Sequence, residues 1–317
     1  MKLKGKRAIV TGSSAGIGRE IALLLAAQGA SVAINARGSG PKGIAAVDEV
    51  VDEIRAKGGI AIGVAGAVDD PKFAQELVEQ CVSQFGGIDI LINNAAIYGV
   101  ETIGPIDQCS VEAWEETLRV NLSGPFYTTR IALQYMIKQR WGRIINAASY
   151  AGTGKMGGSA YSSAKSGLFG FTRALAADYG PYGITANVYN PEAFSVMNDP
   201  EVFKQALVFW KARGYRSDAE VAYYANLGGA EGVAPWVAYL ATEEAGYLNG
   251  RVFAVESRRV AMLAQPDEEK ILYHDFANHG PMSLDELTKL APLVFPVSND
   301  WPRREGDALA RWEKGIV

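Results

Sequence analysis

Short apolar runs rich in β-branched residues alternate with longer stretches of helical periodicity along the first two-thirds of the chain. The strands that this pattern predicts cover residues 7–11, 31–35, 60–65, 88–92, 143–147 and 184–188. The predicted helices cover residues 17–28, 45–57, 71–85, 111–139 and 160–179. Strands separated by helices of this length are joined by crossover connections, which place them in a parallel sheet. We therefore predict an α/β fold, a doubly wound parallel sheet with helices on both faces.

The last part of the 317-residue chain, residues 257–317, differs in composition from the part before it. It holds both histidines and five of the thirteen prolines. Ser283 and Glu286 have the spacing of a capping box, which predicts the start of a helix. We expect a single domain over residues 1–256 and a C-terminal extension over residues 257–317 that packs on the body or on a neighbouring subunit.

Composition and charge exclude several classes of protein. Lys and Arg number 31 against 35 Asp and Glu, a formal net charge of −4 that does not suit a nucleic-acid-binding protein. No apolar run reaches the length of a membrane span, and residues 1–7 lack the apolar stretch of a signal peptide. Cys81 and Cys109 cannot form a disulfide framework, so we expect a cytoplasmic protein. His274 and His279 have no ligand partners at suitable spacing, so no metal site is expected.

A glycine-rich turn, TGSSAGIG at residues 11–18, lies between the first predicted strand and the first predicted helix. Glycine lets the backbone approach a pyrophosphate closely, and the N-terminus of a helix offers it free N–H groups and a positive dipole. Such a turn alone is often only a turn. Its place in the first crossover unit, with further alternations behind it, favours a dinucleotide-binding site. The expected contacts in this turn are Gly12, Ser14, Ala15, Gly16, Ile17 and Gly18.

Tyr161 and Lys165 are four residues apart at the start of a predicted helix, so their side chains share one helix face. A nearby cation favours the phenolate, and Lys165 can therefore lower the pKa of Tyr161 from about 10 toward the range of a general base. Upstream, Ser149 follows a predicted strand, and its hydroxyl could bond the oxygen of a carbonyl group. Taken alone, such a pair is more often a solvated helix face.

Together these motifs resemble the short-chain dehydrogenase/reductase family over roughly residues 6–255. The resemblance rests on the family's order and spacing of TGSSAGIG, Asn93-Asn94-Ala95, Asn121, Ser149, Tyr161 and Lys165. It implies a Rossmann-like sheet and an NAD(P)(H)-dependent oxidoreductase that interconverts a secondary alcohol and a ketone by hydride transfer. Hydride would pass directly between the nicotinamide and the substrate, so the protein supplies alignment and proton transfer.

The resemblance also implies a role for each of four catalytic residues. Tyr161 would be the general acid/base, and Ser149 would orient and stabilise the substrate oxygen. Lys165 would lower the pKa of Tyr161 and hold the nicotinamide ribose. Asn121 would anchor a water that relays protons through Lys165.

The end of the second predicted strand bears on the choice between NADP(H) and NAD(H). Dinucleotide folds that use NAD place an acidic side chain there to hold the ribose 2′-hydroxyl. This chain has Ala36 at that position, and Arg37 after it could pair with a 2′-phosphate. We expect NADP(H), with NAD(H) as the alternative. Against NADP(H), Ala15 stands where NADP-using members often have a basic residue, and Arg37 could be a solvated loop residue.

The chain departs from the family at three expected cofactor contacts. Ala67 replaces the Asp that meets the adenine, Ala96 replaces the glycine of Asn-Asn-Ala-Gly, and Glu192 replaces the glycine of Pro-Gly. The expected contacts outside the glycine-rich turn are Arg37, Ala67, Val68, Asn94, Ala95, Ala96, Tyr161, Lys165, Pro191, Glu192 and Ser195. These departures keep open a second function, a dinucleotide-binding sensor or scaffold without turnover.

The substrate is less determined than the reaction. Parts of residues 232–255 and 281–283 resemble the (3R)-hydroxyacyl-CoA dehydrogenase unit of peroxisomal multifunctional enzymes, which implies a 3-oxoacyl or 3-hydroxyacyl thioester. A steroid, terpene or other cyclic alcohol is the alternative, suggested by the aromatic residues Phe203, Phe209, Trp210, Tyr215, Tyr223 and Tyr224. Family members pair through helices equivalent to residues 111–139 and 160–179, so we expect a homodimer or homotetramer.

Overall fold

A computed structural model of the protein describes residues 1–38, 41–155, 157–193, 208, 211–212, 228–264 and 281–294. In the described residues the strands form one sheet of order β3-β2-β1-β4-β5-β6-β7-β8. Their bounds are β1 (Arg7–Val10), β2 (Ser31–Ala36), β3 (Ile60–Ala65), β4 (Ile90–Asn93), β5 (Gly142–Ala147), β6 (Ile184–Pro191), β7 (Val252–Glu256) and β8 (Arg259–Met262). Neighbouring strands are parallel from β3 to β7, and β8 runs antiparallel to β7.

The helices cover the sheet on both sides. Their bounds are α1 (Gly16–Ala27), α2 (Pro41–Ala56), α3 (Pro71–Phe85), α4 (Val100–Ile103), α5 (Val111–Leu118), α6 (Gly124–Gln139), α7 (Ser159–Tyr179), α8 (Ala234–Leu240) and α9 (Leu284–Val294). Residues of α1, α2 and α8 pack in one hydrophobic cluster, and residues of α3, α6 and α7 pack in another. The predicted doubly wound α/β fold is confirmed.

Alternate residues of the central strands pack on opposite faces of the sheet, and both faces are buried. On β1, Ala8 and Val10 belong to the cluster of α1 and α2, while Ile9 belongs to the cluster of α3 and α6. All three side chains are fully buried. Burial on both faces explains why these strands read as continuous apolar runs in the sequence.

The six predicted strands are all present, and four of the five predicted helices match a single helix. The fifth, expected over 111–139, is instead divided into α5 and α6 by a π-helical turn at Arg119–Ser123, which we call the π-turn. Pro125 has no N–H, so the ordinary helical bond to the carbonyl of Asn121 cannot form. The N–H of Gly124 donates instead to the carbonyl of Arg119, five residues back.

The region directly after Glu256 contributes one strand, β8, to the sheet. Arg259 pairs with Glu256 across the tight connection from β7 to β8, a strand that the sequence did not predict. Farther on, the predicted capping box is present: the N–H of Glu286 donates to Ser283 Oγ, and the Ser283 N–H donates to the Glu286 carboxylate. The division of the chain at residue 256 stays a prediction. Among the described residues, no helix has both the length and the apolar character needed to span a membrane.

Candidate active site

The carboxyl ends of β1 to β6 surround a cavity of about 530 Å³. It lies where the strand order reverses between β1 and β4, which is the point at which open α/β sheets bind their ligands. Every cofactor contact predicted between residues 12 and 192 lines this cavity, and so do Ser149, Tyr161 and Lys165. Ser195 and the six aromatic residues of 203–224 lie outside the described residues, as do His274 and His279.

The backbone of the glycine-rich turn allows the close approach of a phosphate group. Gly12 and Gly16 have φ values of +62° and +56°, which favour glycine. A Cβ on Gly18 would lie 2.3 Å from the carbonyl oxygen of Gly12. The N-terminus of α1, at Ala15, has no side-chain cap, and its first turn has no acidic residue. Its free N–H groups and positive dipole therefore face the cavity without a competing anion from the helix itself.

Buried polar side chains fix this turn against the end of β4. Thr11 Oγ1 accepts hydrogen bonds from the N–H groups of Asn94 and Ala95, each over 3.0 Å. Asn94 Nδ2 donates to the carbonyls of Thr11 and Gly12, each over 3.0 Å. The Tyr189 hydroxyl donates to Asn94 Oδ1 over 2.8 Å. The position of Asn94 is thus fixed by three elements of the fold.

Asn35 performs the same task at the neighbouring strand ends. Its Nδ2 donates to the carbonyls of Val64 and Gly66, over 3.0 and 3.1 Å. The N–H of Ser13 donates to the Asn35 carbonyl over 2.7 Å. Sequence reasoning missed this residue, although an asparagine within an otherwise apolar strand was a signal that a buried amide has a structural partner.

Ser149, Tyr161 and Lys165 converge at the end of β5. The Tyr161 hydroxyl lies beside that of Ser149, whose Oγ accepts from the N–H of Ala151 over 3.2 Å. Lys165 is fully buried, and its Nζ donates to the carbonyl of Ala147 over 2.8 Å. The Lys165 Nζ lies 5.5 Å from the centre of the Tyr161 ring. The helical spacing does place both side chains at one site, and they are not a solvated surface pair.

Burial sets the pKa values of this pair. It raises the pKa of Tyr161 well above its ordinary value, against the opposing effect of the Ser149 hydroxyl beside it. It lowers the pKa of Lys165 from 10.5 to about 7. The lowering of the Tyr161 pKa that we expected from Lys165 is therefore not seen. Loss of hydration is the largest effect on the Tyr161 hydroxyl, and it exceeds the opposing effect of Ser149.

Asn121 lies in the π-turn and is fully buried. Its Oδ1 accepts from the N–H of Ile97 over 2.9 Å, and its Nδ2 donates to the Ile97 carbonyl over 2.8 Å. The side chain is therefore used to hold the segment after β4. Pro125 leaves the Asn121 carbonyl without its ordinary helical partner.

The cavity also has a wall that sequence reasoning did not find, formed by Ile97, Tyr98, Ile103 and Tyr150. The Tyr98 ring lies 6.0 Å from the Tyr161 ring, centre to centre, with an angle of 60° between their planes. Tyr98 lies shortly after the carboxyl end of β4. Ligands of open α/β sheets bind at these strand ends, so the position of Tyr98 in the sequence was a signal. Within the described ranges, no cluster of three or more His, Cys, Asp or Glu residues suits a metal ion.

The family model described as short chain dehydrogenase matches residues 6–206 of this chain, which is more than half of its length. The chain is 35% identical over 258 residues to the (2S)-((R)-hydroxy(phenyl)methyl)succinyl-CoA dehydrogenase subunit BbsD of Thauera aromatica, with 80% of this chain and 96% of that protein covered. It is 36% identical over 256 residues to the 3-oxoacyl-(acyl-carrier-protein) reductase FabG of Aquifex aeolicus, with coverages of 80% and 97%.

One relative and one solved structure match nearly the whole chain, and a second solved structure matches about four-fifths of it. The peroxisomal hydratase-dehydrogenase-epimerase of Neurospora crassa is 31% identical over 311 residues, which cover 95% of this chain and 32% of that longer protein. A short chain dehydrogenase from Mycobacterium avium superposes with a TM-score of 0.77 and 31% identity, over 96% of this chain and 100% of that one. A short chain dehydrogenase from Burkholderia cenocepacia in complex with NADP superposes with a TM-score of 0.67 and 32% identity, over 81% and 98%.

Proposed function

The chain belongs to the short-chain dehydrogenase family and is an NAD(P)-dependent oxidoreductase acting on an alcohol or ketone, and we propose that its substrate is a 3-oxoacyl or 3-hydroxyacyl thioester. The observation that carries the reaction is the convergence of Ser149, Tyr161 and Lys165 in one cavity. Support for the thioester comes from relatives named for CoA or acyl-carrier-protein thioesters. The match to the peroxisomal hydratase-dehydrogenase-epimerase covers 95% of this chain and so extends into residues 257–317.

The cofactor site is proposed to prefer NADP(H) over NAD(H). The glycine-rich turn and the uncapped start of α1 would hold the pyrophosphate. Arg37 lines the cavity where Ala36 leaves no carboxylate for a ribose 2′-hydroxyl, and its guanidinium would pair with a 2′-phosphate. When bound, the nicotinamide supplies or accepts the hydride.

The protein's own groups then handle the proton and the substrate oxygen. In the direction of reduction, Tyr161 gives its hydroxyl proton to the carbonyl oxygen, and Ser149 donates a hydrogen bond to the same oxygen. Lys165, four residues along the same helix face, holds the proton that restores Tyr161 and binds the nicotinamide ribose. Asn121 holds the cavity wall through Ile97 and leaves its own carbonyl for the water of the proton relay.

The first experiment compares 3-oxoacyl-CoA thioesters with cyclic ketones of similar size, each with NADPH and with NADH. We expect turnover of the thioesters, and loss of activity by a factor of about 10² to 10⁴ in Tyr161→Phe. Tyr182→Phe, on the exposed turn after α7, is the matched control. Full activity of Tyr161→Phe would overturn the mechanism. Turnover of the cyclic ketones alone would favour the steroid or terpene alternative, and tight NADPH binding without turnover would favour a sensor.

We propose a homodimer or homotetramer, because α5 and α6 leave Val111 and Phe126 exposed on the segment through which family members are expected to pair. Light scattering of the purified protein would measure its mass in solution, and a monomer would contradict the proposal. A cytoplasmic location is consistent with Cys81 and Cys109, which are both free thiols.

A further inference from the structure

Four charged side chains meet at the rim of the cavity, and we call them the arginine–carboxylate cluster. Arg37 follows β2, Asp69 follows β3, Glu116 lies on α5, and Arg119 begins the π-turn. Arg37 and Asp69 also line the cavity. Two positive and two negative charges give the cluster no formal net charge, although the single arginine at the strand end would suggest a positive rim.

Asp69 is the buried member of the cluster. Its side chain is 5% exposed, against 45% for that of Arg37. Arg119 donates to its Oδ2, whereas its Oδ1 makes no hydrogen bond and lies 3.8 Å from Nη2 of Arg37. Because water screens a buried charge poorly, this carboxylate acts strongly on the guanidinium beside it.

Among the residues that the structure describes, the Arg37 guanidinium has ion-pair contacts and no hydrogen bond. Its Nη1 lies 3.7 Å from Glu116 Oε1, and its Nη2 lies 3.8 Å from Asp69 Oδ1. Both distances exceed the normal range for an N–H···O hydrogen bond. The guanidinium therefore keeps its donors for a bidentate anion, but a phosphate that reaches it also meets two carboxylates.

We propose that Asp69 and Glu116 are specificity-determining residues that reduce the preference for NADP(H) over NAD(H) by sharing the charge of Arg37. The inference rests on the proposed cofactor site, in which Arg37 pairs with the 2′-phosphate. NAD(H) has a neutral hydroxyl in place of that phosphate, so the two carboxylates oppose only NADP(H). Removal of either carboxylate then strengthens NADP(H) binding and leaves NAD(H) binding nearly unchanged.

The test measures the dissociation constants of NADP⁺ and NAD⁺ by calorimetry for the wild-type protein and its variants. Asp69→Asn and Glu116→Gln should each raise the ratio of the NAD⁺ to the NADP⁺ constant by about threefold or more. Glu115→Gln removes the same charge one residue away, where no ion pair with Arg37 is made, and serves as the control. The increase for Glu116→Gln should shrink at high salt, because this side chain is 49% exposed.

Glu116→Gln keeps the test decisive if Asp69→Asn, which changes a buried side chain, does not fold. A ratio that stays constant or falls in Glu116→Gln and in folded Asp69→Asn would overturn the inference. Arg37→Gln separates this failure from failure of the proposed cofactor site. If the ratio falls in Arg37→Gln but neither carboxylate variant raises it, the inference alone is wrong. If Arg37→Gln also leaves the ratio unchanged, both are wrong.

Discussion

The side chain of Asn121 bonds both backbone groups of Ile97, accepting from its N–H over 2.9 Å and donating to its carbonyl over 2.8 Å. Ile97 directly precedes Tyr98, whose ring stands beside that of Tyr161. An amide side chain can donate and accept at once, which neither a carboxylate nor an alkyl group does. The contact thus connects the π-turn to the cavity wall next to the proposed acid/base.

Replacement of Asn121 by alanine leaves the N–H and the carbonyl of Ile97 without these partners. We expect the free energy of unfolding to fall by about 1–3 kcal/mol, together with a loss of kcat/KM as the cavity wall shifts. Urea denaturation and a steady-state assay measure the two effects. Asn121→Asp keeps the acceptor but places a buried carboxylate oxygen against the Ile97 carbonyl, so it should be at least as destabilising as Asn121→Ala. An alanine variant as stable and active as the wild type would show that the two Asn121–Ile97 hydrogen bonds do not hold the cavity wall.

Gly18→Ala should weaken dinucleotide binding, because the new Cβ would stand 2.3 Å from the carbonyl of Gly12 and 2.5 Å from the side chain of Asn94. The turn must move to relieve this contact. Gly170→Ala is the matched control, since no atom lies within 4 Å of the Cβ that it would gain on α7. Alanine there should stabilise the helix by about 0.5–1 kcal/mol. Equal affinity for NADP⁺ in both variants, measured by calorimetry, would show that the turn does not hold the cofactor.

Lys165 should give the protein without cofactor a stability that increases with pH. Burial lowers its pKa from 10.5 to about 7, so above pH 7 the unfolded chain binds a proton that the folded chain does not. The free energy of unfolding then rises between pH 7 and 10.5. Below pH 7 the full cost of burying the charge is present. Lys165→Met, which has no titrating group, should lack this component.

Urea denaturation of the wild type and Lys165→Met at pH 7 and pH 9 measures the difference between their pH dependences. The stability advantage of Lys165→Met should be larger at pH 7 than at pH 9. The same difference at both pH values would mean that the buried ammonium keeps an ordinary pKa.

Tyr189→Phe removes the hydroxyl that donates to Asn94 Oδ1 from a fully buried ring. The variant should lose about 1 kcal/mol of stability, and it should bind NADP⁺ more weakly because Asn94 positions the glycine-rich turn. Tyr182→Phe, at an exposed ring, should change neither quantity. Thermal denaturation and an NADP⁺ titration test both statements, and an unchanged Kd would mean that the contacts with Thr11 and Gly12 suffice to position Asn94.

The sequence was most informative where one physical cause decides the structure. Burial on both faces makes β1 a continuous apolar run, and the spacing of Tyr161 and Lys165 fixes their shared helix face whatever surrounds the helix. The π-turn was not predicted, because apolar periodicity continues through Pro125 and hides the interruption. The strand β8 was missed although three of its four residues, 260–262, are apolar, because they are largely exposed and end before any further alternation.

The partners of Arg37 show why the rest of the site could not be predicted. Asp69 and Glu116 are 32 and 79 residues away in the sequence, and only the tertiary fold brings them within 4 Å of Arg37. The raised pKa of Tyr161 could not be predicted for a related reason. The sequence shows a cation nearby but does not show how much water the fold removes from both groups.

The π-turn has a consequence for the phase of the helical run that contains it. One residue more than an α-helical turn rotates everything after it by about 100° around the axis. At the start of the π-turn, Arg119 meets Asp69; after the turn, Thr128 donates to Asn93 Oδ1 over 2.7 Å. A regular helix through the same residues would keep one of these contacts in register and carry the other away from its strand end. The extra residue lets one helical run contact both the segment after β3 and the end of β4, with side chains that leave the helix in different directions.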